Sequence, residues 1–118
     1  MNPISVTRRL ASFAAVITTG IAFATVSVQA QDASAIYAQK CVSCHGVQGK
    51  GDGPAGKYLN PRPNDFATSL KDKTDDWIAK SIKGGGVAVG LSKVMPAYPD
   101  LSDDQVKALV DYIKKLGS

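Results

Sequence analysis

Histidine and tryptophan each occur once in these 118 residues, cysteine and methionine twice each. Two cysteines permit at most one disulfide, and Cys41 and Cys44 stand too close in sequence for a bridge to tie distant parts of the chain together. With His45 they make three thiol and imidazole ligands, short of the four that a structural zinc site takes. There are no paired carboxylates, no nucleophile beside a base, and no Gly-Lys-Ser/Thr ending to the glycine run 49–56, so nothing marks a hydrolase or a phosphate-binding loop. Lys and Arg do not cluster with interleaved aromatics, which removes the usual footprint of a nucleic-acid binder. No stretch of useful length reads as a strand, and there is no internal repeat or domain linker.

What is present begins with a leader. Arg8 and Arg9 form a short positive region, an apolar run follows from Leu10 to Val28, and Val28-Gln29-Ala30 carries small residues where a signal peptidase reads. This predicts a secretory signal over residues 1–30, cut after Ala30, and a mature domain over residues 31–118. The rival reading is an uncleaved anchor, since about twenty apolar residues span a bilayer. Thr18, Thr19, Gly20, Thr25 and Ser27 dilute the run, and a cleavage site follows it. The pair Arg8-Arg9 is only a slight match to a twin-arginine signal. The expectation is therefore export to the periplasm, with no stable membrane insertion once the signal is removed. Setting aside Arg8 and Arg9 takes the 14 basic residues to 12 against 10 acidic ones, a net charge of +2. A mature domain this short makes a marginal core from its own side chains, so a large buried cofactor is expected to reinforce it.

Along the mature chain, Asp32 is placed to cap a first helix, with Ala33, Ile36, Tyr37 and Cys41 on one face. Residues 46–56 hold too many glycines for any regular element. Residues 59–66 are extended or turning, because each residue before a proline is pushed out of the helical region. Thr74-Asp75-Asp76 opens a second helix with Trp77, Ile78 and Ile82 inward, and Gly84-Gly85-Gly86 ends it. A loop over residues 87–99 contains Met95-Pro96. Ser102-Asp103-Asp104-Gln105 is a capping box opening the last helix, whose buried stripe is Val106, Leu109, Val110, Ile113 and Leu116, with Gly117 closing it. The fold class is all-α, three to four short helices around one cofactor.

Cys41-Val42-Ser43-Cys44-His45 is the C-x-x-C-H pattern of covalent haem attachment. Two thiols at this spacing add to the two vinyl groups on one side of a porphyrin, and the next residue then brings its imidazole to the iron. A thioredoxin-like redox pair expects a strand before the motif, and here an amphipathic helix precedes it. With His45 the only histidine, two-histidine ligation within one chain is excluded. Once the signal is removed, Met95 is the only methionine, and it is the candidate second axial ligand. A thioether on iron favours the ferrous state and raises the reduction potential. The competing reading is a methionine that fills a gap in the core.

These residues resemble the class I cytochrome c family over essentially the whole mature length. The matching segments are Cys41-Val42-Ser43-Cys44-His45-Gly46, the run Gly49-Lys50-Gly51-Asp52-Gly53-Pro54-Ala55-Gly56, Val94-Met95-Pro96-Ala97-Tyr98, and Leu101-Ser102-Asp103-Asp104. In detail the chain is similar to the small bacterial periplasmic monohaem cytochromes. The resemblance implies a cytochrome c fold with one covalent haem c, in which the first and last helices cross closely, Tyr37 in one meeting Tyr112 in the other. Ala33 stands where the family often has glycine. Leu59 and Pro61 fall in a haem-packing loop, where the Pro61 carbonyl is expected to accept the His45 Nδ1–H. Trp77 is either plain core packing or a donor to a haem propionate, as an indole is in some relatives. Lys50, Lys57, Lys83 and Lys93 are expected to border the haem edge, either steering an acidic partner or as a solvated rim.

The function expected is a periplasmic electron carrier between redox proteins, with His45 and Met95 as iron ligands. The alternative is the electron-transfer haem subunit of a larger periplasmic oxidoreductase complex. A peroxidase needs an open iron and a distal acid–base group, and the single histidine is already used. The chain is thus not expected to be an enzyme by itself. A ligand sensor would require Met95 to leave the iron.

Overall fold

The computed structural model describes residues 32–118, and the expected signal over residues 1–30 lies outside them. The helices are α1 (Ala33–Lys40), α2 (Val42–His45), α3 (Phe66–Ser69), α4 (Asp75–Gly84) and α5 (Asp103–Leu116), with 3-10 turns at Gly56–Tyr58 and Gly86–Val89. No strand occurs among the described residues. The long helices begin where the sequence puts their caps. The Asp32 carboxylate accepts from the Ser34 N–H at 3.1 Å, and the Thr74 hydroxyl accepts from the Trp77 N–H at 3.2 Å. Ser102 and Gln105 complete a reciprocal box, at 3.2 and 2.9 Å. Asp75 and Asp76 in α4, and Asp103 and Asp104 in α5, sit at the positive ends of their helices.

Three to four helices were expected and five form. The first helix stops at Lys40 rather than running through Cys41, whose backbone at φ −118° and ψ −36° breaks the line before α2 restarts for one turn. The other addition, α3, begins at the end of the stretch read as extended or turning. Asp65 caps it by accepting from the Ala67 N–H at 2.8 Å. A four-residue helix has no period for a sequence pattern to reveal.

The buried face of α5, Val106, Leu109, Val110 and Ile113, packs against α1, α3 and α4, while Leu116 is only half-buried. Tyr37 and Leu109 are the most enclosed large side chains, at 1% and 0% exposure. The expected crossing of first and last helices is formed: the Tyr37 and Tyr112 rings lie 5.3 Å apart at 53°, a tilted aromatic pair. The Tyr37 hydroxyl donates to the Gly46 carbonyl at 2.8 Å, so α1 holds the residue just after the C-x-x-C-H motif. Among the described residues no helix is long and apolar enough to cross a membrane.

Candidate haem-binding site

The motif lies at the end of α1 and on α2. The following glycine-rich loop folds back over it: the Gly51, Gly53 and Ala55 N–H groups donate to the His45, Cys44 and Ser43 carbonyls at 2.8, 3.3 and 2.9 Å. These bonds satisfy carbonyls that so short a helix leaves free. The loop lies so close that a Cβ on Gly56 would land on the Cys44 carbonyl, which accounts for glycine there.

Beside the motif a cavity of about 490 Å³ opens between α2, residues 59–64, α3, α4 and the Met95 segment. Pockets of roughly 300–1,000 Å³ are the size that hold small cofactors. Cys41, Cys44, His45 and Met95 all line it, each half-buried. Much of the remaining wall is core: Phe66, Ile78, Ile82, Leu101, Leu109 and Ile113 face this space. The core is thus built around a hole, which a large apolar group would fill.

The donor set fits a covalent haem. Both thiols are free. Burial pushes the Cys41 thiol up to about 11, opposed by the nearby Lys40 ammonium and assisted by Cys44. Burial also lowers the His45 pKa, favouring the neutral imidazole that a metal requires. Its Nδ1 is buried without a hydrogen-bond partner. The expected bond from Nδ1 to the Pro61 carbonyl is therefore not made, although Leu59 and Pro61 do line the cavity. The Phe66 ring packs beside the imidazole, its centroid 4.9 Å away at 31°.

Of the lysines expected at the haem edge, Lys50, Lys57 and Lys93 are exposed, Lys93 between the wall residues Ser92 and Val94, and Lys83 pairs with Asp103 at 3.0 Å. The cations that do line the cavity are Lys40, Arg62 and Lys73. These too stand at a helix end and in loops; which of several such cations face the cavity is set by the segments that surround it. Trp77 lines the cavity and packs against the core, with the Lys73 ammonium 4.7 Å from its ring centroid. Phe66 and Tyr98 are among the wall residues to which the sequence assigned no role. Phe66 carried one signal, its place after a capping Asp65. Tyr98 stands in the segment with Met95 that carries the family resemblance, but the bond from its hydroxyl to the Lys40 carbonyl, 58 residues away, at 2.8 Å leaves no local pattern.

The sequence model described as cytochrome c matches residues 30–117. Cytochrome c-552 of Nitrosomonas europaea is 37% identical over 87 residues, covering 72% of this chain and 78% of that protein. Cytochrome c oxidase subunit 2 of Alkalihalophilus pseudofirmus is 30% identical over 82 residues, 64% of this chain but only 22% of that subunit's length. A helical shell around a cofactor-sized apolar space and a match from end to end of the described residues lead to one conclusion: this chain belongs to the cytochrome c family, haem electron carriers that hold haem c and its iron through covalent bonds.

Proposed function

We propose that Cys41 and Cys44 form the two thioether links, that His45 and Met95 are the axial ligands, and that the protein carries electrons between redox partners in the periplasm. The observation that carries this reading is that these four residues, far apart as His45 and Met95 are in sequence, line one apolar cavity. The haem supplies a one-electron couple whose reduction potential its surroundings set. The chain's part is to hold and surround it. The two thiols anchor it, so that it is lost only by breaking covalent bonds. His45 is kept neutral by burial and available as a donor. The Met95 thioether favours the reduced state, and apolar walls such as Ile78, Ile82 and Leu109 exclude water. With His45 and Met95 both holding the iron, no position on it would be left open to a substrate, and the chain's role would be to pass electrons rather than to catalyse a reaction by itself. Lys40, Arg62 and Lys73 at the cavity edge favour approach of an acidic partner surface.

Export rests on the leader over residues 1–30. A second reading is that this chain is the electron-transfer subunit of a larger oxidoreductase, and the similarity to part of cytochrome c oxidase subunit 2 favours keeping it. Co-purification with a partner separates the two. Ligation is tested by Met95→Ala. The oxidised protein should lose its weak near-infrared sulfur-to-iron band, and the reduced form should gain carbon monoxide binding. If the unmutated protein has no such band, Met95 is not the ligand.

A further inference from the structure

We propose that Tyr98 is a positioning residue, a latch that fastens the Met95 segment to the end of α1 and so sets how readily Met95 gives way to an external ligand. This rests on Met95 being an axial ligand. Met95 is held from two sides. Behind it, the Gly86 N–H donates to the Met95 carbonyl at 3.1 Å, and the turn that makes this possible requires Gly85 at φ +73°, where a Cβ would press on that same carbonyl. Ahead of it come Pro96, which has no N–H to give, and Ala97; both are exposed. The chain is next secured at Tyr98. Its N–H donates to the Ile82 carbonyl of α4 at 3.0 Å, and its hydroxyl donates to the Lys40 carbonyl at 2.8 Å.

Lys40 is the last residue of α1, where carbonyls run out of partners within the helix. It immediately precedes Cys41. The hydroxyl bond therefore ties the segment bearing the proposed second ligand to the segment bearing the attachment motif, across a cavity that Tyr98 itself lines. The Lys40 ammonium lies 5.5 Å from the centroid of the Tyr98 ring and adds a second contact between the same two residues. The first tether is local, within the neighbourhood of α4. The Tyr98 hydroxyl bond spans the two walls. Swinging Met95 out of the cavity loosens the second tether, so its strength enters the rate of opening.

The test uses the full haem-loaded protein in its oxidised form and imidazole as the entering ligand, with the sulfur-to-iron band as the readout. Tyr98→Phe keeps the ring and removes the hydroxyl. Imidazole should then bind about fivefold faster, the effect of losing one such hydrogen bond. Ser102→Ala removes a helix cap of comparable worth outside the cavity wall and should leave the rate unchanged. Equal rates in Tyr98→Phe and the unmutated protein overturn the latch, as does an equal acceleration by Ser102→Ala. Hydrogen exchange on the unmutated protein needs no variant to fold. The Tyr98 amide should lose protection when imidazole is bound, and retained protection overturns the latch. An unmutated protein without the band overturns the Met95 ligation reading itself, which is distinguishable from a band that is present with rates that do not change.

Discussion

Burial lowers the His45 pKa and raises that of Tyr37, whose hydroxyl makes Gly46's contact with α1. For Tyr37 the consequence is a pH dependence of stability. Burial raises its pKa well above the ordinary 10.0, so the unfolded chain releases this proton before the folded one does. The stabilisation is complete below pH 10.0 and is lost as pH rises through the folded value. Charge on Cys41 contributes less than burial does, so thioether formation leaves the direction intact. Urea unfolding of the haem-loaded protein should show a midpoint that falls above pH 10, and a shallower fall in Tyr37→Phe. Parallel slopes would refute the assignment. At neutral pH the same variant should lose about 1 kcal/mol from the missing hydroxyl bond. At this scale Cys41, Cys44, His45 and Met95 stood out in the sequence as candidates because their chemistry is specific and their rivals are few, and the four line one cavity. Phe66 and Tyr98 did not, because a ring contact or a hydroxyl bond between distant segments leaves no local pattern.

Among the elements, α5 does the most to assemble the fold, since it touches α1, α3 and α4. Its start is fixed by the box of Ser102 and Gln105, and its end by Gly117. Ser102→Ala should cost about 1 kcal/mol in urea unfolding, the usual worth of such a cap. The near-infrared band should stay as it is, because Ser102 lies outside the cavity wall. A lost band would mean that the cap reaches the site. Caps and periodic apolar faces made α1, α4 and α5 readable from sequence. The single turns α2 and α3 were hidden for the opposite reason: each is four residues long, and each is held by contacts outside itself. The Gly49 carbonyl, for example, accepts from the Phe66 N–H at 2.9 Å.

For the molecule as a whole, the defining property is that the buried apolar side chains of the described residues form one cluster, and that Tyr37, Phe66, Ile78, Ile82, Leu101, Leu109 and Ile113 of that cluster also wall the cavity. The sequence foretold this in outline, since so short a domain needs a cofactor to complete its core. It could not foretell which cations edge the opening. That depends on how residues 59–64, the end of α1 and the segment before α4 come together. It brings Lys40, Arg62 and Lys73 into the cavity wall. The central claim is one covalent haem, closed by His45 and Met95, that exchanges single electrons. A redox titration of the purified protein, followed by visible and near-infrared spectra, tests it most directly. The expected result is one reversible one-electron transition, a sulfur-to-iron band in the oxidised form only, and a reduced form indifferent to carbon monoxide at neutral pH. A missing band, or carbon monoxide binding to the reduced protein, would contradict it.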